Sequence, residues 1–106
     1  MSNQINDRPI EFSIFFCRKA LDNSTELIIR SDLNAFPAEH RCGYGFTITL
    51  DQGDNVSTAE VKDLTSDQTV AEKFFNLLVE FNVSPLHLHD VAEDFLLSFY
   101  DGARVQ

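Results

Sequence analysis

Before residue 65 apolar and polar residues alternate in several separate stretches, and after it the period changes. In "IEFSIFF", Ile10, Phe12, Ile14 and Phe16 share one parity, while Glu11, Ser13 and Phe15 share the other. That period of two predicts a half-buried strand with the first set turned inward. "LDNS" supplies turn chemistry, and "TELIIR" returns with Leu27 and Ile29 on one side and Glu26, Ile28 and Arg30 on the other. Residues 31–43, "SDLNAFPAEHRCG", show no period and contain Pro37 and Gly43, which predicts a loop. "YGFTITL" alternates most cleanly, with Tyr44, Phe46, Ile48 and Leu50 inward and Thr47 and Thr49 outward. After the turn "DQGDN", the segment "VSTAEVKDL" predicts a fourth strand, with Ala59 and Val61 inward.

From residue 65 the spacing becomes helical. Val70, Phe74, Leu77, Leu78 and Phe81 fall on one stripe, Thr65 with Gln68 fits a capping box, and Asp67 adds charge near the N-terminus. "NVSP" breaks this helix. Ser84 then predicts an N-cap whose hydroxyl accepts from a backbone N–H near His87, with Pro85 at the first helical position. The second helix buries Leu88, Val91, Ala92, Phe95 and Phe99 and is expected to end at the "DG" of residues 101–102. Strands first and helices last predict an α+β domain: a four-stranded antiparallel β-meander with two C-terminal helices packed on one face. Residues 1–106 fit a single domain, with residues 1–9 expected to be flexible. The uncovered sheet face is expected to be threonine-rich, with Phe15 and Ile28 as its apolar exceptions.

Charge narrows the function classes. The formal net charge is −9. Residues 1–50 hold five Lys/Arg against six Asp/Glu, and residues 51–106 hold three against eleven, so the second half carries −8. Such a surface repels a phosphate backbone, which argues against direct nucleic-acid binding. With 43% hydrophobic residues, ten of them Phe and none Trp, phenylalanine is expected to fill the core. Cys17 and Cys42 belong to no metal-ligand or redox motif. "MSNQINDRPIEF" has no basic start followed by an apolar run, and no apolar stretch reaches spanning length, so a cytoplasmic protein with reduced thiols and no membrane contact is expected.

Chemistry concentrates in "VSPLHLHDVAEDFL", residues 83–96, with two histidines and three carboxylates. On a helix His87 and His89 lie about 160° apart and cannot share a metal. His87, Asp90 and Asp94 share a face and make a weak candidate set for Zn²⁺ or Mn²⁺ with a fourth ligand from elsewhere. The simpler account is a solvated helix face, and no cofactor is expected. "EHRC" places Cys42 beside Arg41 and near His40, which makes it the best nucleophile candidate in the chain; a thiol beside a basic residue is nonetheless usually only a thiol.

"YGFTITL", "VKDLTSD" and "VSPLHLHDVAEDFL" together resemble a family of short Firmicutes proteins known only as a domain of unknown function. The resemblance covers about residues 43–97. Its last helix follows the pattern SP-x-H-L-x-D-V-x-E-D-F-L, which His87, Asp90, Glu93 and Asp94 match. It implies a small bacterial cytoplasmic protein and lends no activity. The expected function is therefore a small acidic interaction module, a regulator or adaptor without catalysis, binding another protein through Asp90, Glu93, Asp94 and Leu97. It is expected to be a monomer or homodimer. Two alternatives stay open: a metal-dependent or thiol-based enzyme using the second helix or the Cys42 loop, and an acidic nucleic-acid mimic that occupies a basic cleft.

Overall fold

A computed structural model describes residues 13–105. The expected flexible start, residues 1–9, and the inward positions Ile10 and Phe12 lie outside the described residues. Four strands form one open antiparallel sheet in sequence order: β1 (Ser13–Asp22), β2 (Thr25–Phe36), β3 (Arg41–Asp51) and β4 (Val56–Thr65). Two helices follow, α1 (Gln68–Glu80) and α2 (Leu88–Val105), and the chain has the α+β architecture its periodicity predicts. α1 crosses all four strands, whereas α2 packs chiefly along β4.

Leu27, Ile29, Phe46 and Ile48 are fully buried under α1, where they meet Phe74 and Leu78. Phenylalanine rings carry the packing across the layers. Phe46 meets Phe74 edge-on at 4.9 Å between centroids, Phe74 meets Phe95 of α2 at 5.0 Å, and Phe95 stacks on Phe99 at 5.9 Å. Such pairs add roughly 0.5–1.5 kcal/mol each beyond their buried area.

β1 turns the opposite face inward from the one its alternation suggests. Phe15 and Cys17 pack against the core and Phe15 stacks on Phe75 at 5.3 Å, while Ile14 and Phe16 are exposed on the uncovered face. Pairing decides the matter. Phe15, Cys17 and Lys19 lie opposite Ser31, Ile29 and Leu27 of β2, whose side chains are buried, and directly opposed residues share a face. A register shift over Ile14 resets the alternation at the start of the strand. The flip also brings Lys19 under the helix layer, where its ammonium donates to the Val79 carbonyl at 2.7 Å near the C-terminus of α1. On the uncovered face lie Thr47, Thr49 and Thr58, as expected, with the Thr49 and Thr58 hydroxyls 3.3 Å apart and Ile28 half-buried.

The expected loop at 31–43 is instead the far end of a long hairpin. β2 and β3 pair without interruption from Glu26 with Asp51 to Phe36 with Arg41. One short 3₁₀ turn, Pro37–Glu39, joins them, and His40 closes it at φ 53°. Pro37 marks only that turn; pairing carries Ser31, Asp32 and Asn34 into the ladder despite their weak strand preference.

The caps differ too. Asp67, not Thr65, caps α1, and its carboxylate accepts from Thr69 N and Val70 N at 2.8 and 3.3 Å. Thr65 still belongs to β4, and its hydroxyl accepts from Asp67 N. α1 ends in a Schellman motif. Asn82 is left-handed at φ 49°, Val83 N donates to Leu78 O at 3.1 Å and Asn82 N to Val79 O at 3.3 Å. α2 is entered through a 3₁₀ turn, Pro85–His87, where the Ser84 main-chain carbonyl accepts from His87 N at 3.0 Å and the Ser84 hydroxyl makes no cap bond. α2 also runs through Asp101 and Gly102 to Val105 rather than stopping there; a glycine inside a helix costs only about 1 kcal/mol and does not by itself end one.

Candidate functional site

The 3₁₀ entry to α2 has a direct consequence for the histidines. His87 lies in the turn and not in the α-helix, so the regular i, i+3, i+7 face with Asp90 and Asp94 is broken at its first member. Among the described residues no three His, Cys, Asp or Glu side chains come together as a metal set. His87, His89 and Asp90 are exposed.

Within α2 the 3.6-residue period buries Leu88 and Ala92 and half-buries Val91, Phe95 and Leu96. The same period brings Asp90, Glu93, Asp94 and Leu97 together on the outer side, and all four are exposed. Leu97 is 55% exposed, and Leu86, in the turn that leads into the helix, is 82% exposed. This ridge is acidic around Leu97, the arrangement expected from the helical spacing, whereas Leu86 lies before the α-helix and outside that spacing.

Beside the ridge lies a groove that a single helix could not reveal. Leu77 of α1 faces Val91, Asp94, Phe95 and Ser98 of α2 across an opening of about 300 Å³. Its walls are apolar apart from the Asp94 carboxylate and the Ser98 hydroxyl, so Asp94 belongs to both ridge and groove. The volume sits at the lower end of the range of roughly 300–1,000 Å³ typical of ligand sites.

The "EHRC" loop has a different construction from the one a reactive thiol needs. Adjacent residues of a strand project to opposite faces, so Arg41 and Cys42 point apart. The Arg41 guanidinium is held by Glu39 at 2.7 Å and by both Asp63 carboxylate oxygens, and it lies over the Phe36 ring at 4.8 Å. Ser66 accepts from Arg41 at 3.2 Å and donates to the Cys42 carbonyl at 2.7 Å. These bonds to Asp63 and Glu39 raise the Arg41 pKa, and the guanidinium holds the Asp63 carboxyl below its ordinary value. The cluster ties the β2–β3 turn to the β4–α1 junction, and its charges are spent on one another. Cys17 and Cys42 are both free thiols, the first half-buried and the second exposed. Arg41 and Asp63 carried no sequence signal as a pair, since 21 residues separate them.

Among the described residues no helix is long and apolar enough to cross a membrane. Residues 26–98 match the model of a family described as a family of unknown function, DUF6514. Neither a curated protein nor a solved structure matches the chain.

Proposed function

The chain belongs to the DUF6514 family of unknown function, and from that premise we propose that it is a small acidic interaction module, a non-catalytic regulator or adaptor that binds another protein through the outer ridge of α2. The observation that carries this reading is the ridge itself: Asp90, Glu93 and Asp94 exposed around a 55% exposed Leu97. An apolar contact rimmed by charge is the anatomy of a binding surface, in which the centre holds the complex and the rim steers its approach. The partner is a basic protein. The setting we propose is the bacterial cytoplasm of Firmicutes, which the sequence resemblance implies.

The test is capture of a partner from the native host on the immobilised chain, followed by binding kinetics with that partner. Reversing Glu93 and Asp94 to Lys is expected to slow association and flatten its salt dependence, while Leu97→Ala is expected to speed dissociation. If Thr47 or Thr49 substitutions abolish capture while these changes do nothing, the uncovered sheet face is the interface and the reading fails. A captured partner whose basic site is otherwise filled by DNA or RNA, and which the chain displaces, would instead make it a nucleic-acid mimic.

A further inference from the structure

We propose that the groove between α1 and α2 receives one apolar side chain of an amphipathic, basic helical segment of the partner, and that Asp94 at its mouth selects a lysine or arginine beside that side chain. This inference rests on the interaction-module reading and deepens it, because it says what the partner must present and where.

The groove is built for a side chain. Leu77, Val91 and Phe95 give it apolar walls drawn from two helices, and its volume of about 300 Å³ is small. Phe81, one turn beyond Leu77 and 67% exposed, continues the apolar surface past the end of α1. A helix laid along such a surface anchors through apolar residues at helical spacing, the recognition mode of amphipathic helices in grooves. Asp94 lies where the groove opens onto the ridge, with Asp90 and Glu93 on the same exposed side. A cation flanking the inserted side chain therefore meets a carboxylate at once.

Charge decides among the occupants. A second copy of this chain would set Asp90, Glu93 and Asp94 against surfaces of a molecule with net charge −9, and like charges brought together disfavour the pairing. A basic partner gains from the same charges. A second concavity, lined by Asp22, Ser24, Glu26 and Asp51 at the turn end of the sheet, has no such vacancy. Asp22 accepts from Ser24 N, Asp51 from Gly53 N, and Glu26 is paired with Arg18 at 2.8 Å, so its acidic groups are already engaged within the chain.

The test uses the whole chain and synthetic peptides with Leu and Lys at helical spacing, monitored by the methyl resonances of Leu77 and Val91. The Leu/Lys peptide is expected to bind saturably and shift both methyls, while a peptide with Glu in place of Lys does not. Ser98→Trp fills the groove from its exposed rim without touching the core, and it is expected to weaken binding about tenfold or more. Asp94→Asn, which keeps the side-chain shape, is expected to weaken binding and reduce its salt dependence. The proposal is overturned if Ser98→Trp and Asp94→Asn leave binding intact, or if the Glu peptide binds equally well. It is also overturned if the groove methyls shift with protein concentration alone, which would make a second copy the occupant. Loss on Leu97→Ala with full retention on Ser98→Trp removes the groove but leaves the ridge reading standing. If no peptide binds and the partner's kinetics ignore Leu97→Ala as well, both readings fall.

Discussion

Asn34 donates its side-chain amide to the Lys62 carbonyl across 2.8 Å, joining β2 to β4 over the top of β3. The strand between them makes room at Gly45. A Cβ built there would stand 2.7 Å from Asn34 Nδ2, 2.8 Å from the Lys62 carbonyl oxygen and 2.9 Å from that of Val61. The register between β3 and β4 shifts at this point, with Tyr44 opposite Thr65 and Phe46 opposite Val61. β4 thus carries extra residues past Gly45, and Asp63 within them reaches Arg41. A missing side chain, a bulge and an ion pair are one local solution.

Gly45→Ala is therefore expected to destabilise the fold by about 1–3 kcal/mol, as overpacking against main chain does. Two of the three close atoms are backbone oxygens that cannot swing aside. Urea unfolding of the variant measures it, and a loss below about 0.5 kcal/mol, the usual scatter for surface changes, would show that the bulge yields.

Ser31 is fully buried, and its hydroxyl has no hydrogen-bond partner. It sits in the sheet between Phe15 and Phe46. An unsatisfied buried hydroxyl costs about 1–3 kcal/mol. Ser31→Ala is expected to raise stability by about 1 kcal/mol, read as a higher denaturant midpoint at unchanged slope. A lower midpoint would mean that the hydroxyl is satisfied in solution.

The parts of this fold that were legible in the chain are those where period had no rival. β3 alternates Tyr44, Phe46, Ile48 and Leu50 against small or polar residues, and both its neighbours and its inward face followed. β1 offered apolar residues on both faces, Ile14 and Phe16 against Phe15 and Cys17. Alternation within one strand could not choose between them; pairing with β2 did. The far end of the hairpin was obscured because Ser31, Asp32 and Asn34 look like loop residues, and only cross-strand pairing gives them an extended partner. The ridge of Asp90, Glu93, Asp94 and Leu97 depends on one helix, so its period placed all four on one exposed side. The groove needs Leu77 from another helix, and Lys19 reaching Val79 needs contact across 60 residues. No local pattern encodes such meetings.

The helix starts separate cleanly by mutation. Asp67→Ala removes a carboxylate that accepts two backbone N–H groups of α1 and is expected to cost about 1 kcal/mol. Ser84→Ala removes a hydroxyl that caps nothing, while the main-chain carbonyl that accepts from His87 N remains, so a change within about 0.5 kcal/mol is expected. Thermal or urea unfolding of the two variants side by side checks this; equal losses would place the Ser84 hydroxyl at the helix start after all.

The Arg41 cluster gives the fold an acid-sensitive contact whose sign follows from Asp63. Hydrogen bonding to the guanidinium favours the ionised carboxylate, so its folded-state pKa lies below the ordinary value of 3.8. A carboxyl depressed on folding contributes stability that is fully present above its unfolded-state pKa, and that contribution fades as the pH falls through the depressed value. Stability is thus expected to hold down to about pH 4, an ordinary carboxylate pKa, and to drop below it. Asp22, held down by the Ser24 and Thr25 hydrogen bonds, adds a second acid-sensitive group with the same sign. Asp63→Asn keeps the shape and removes the titration. The variant is expected to be less stable than the parent at pH 7 and to approach it as the pH falls through the depressed Asp63 pKa, where the parent's carboxyl becomes protonated as well. High salt is expected to narrow the difference at pH 7, because both partners are partly exposed. Parallel unfolding curves of parent and Asp63→Asn over pH 2–7 decide the matter: a constant gap at every pH would mean that Asp63 holds Arg41 through shape and not through charge.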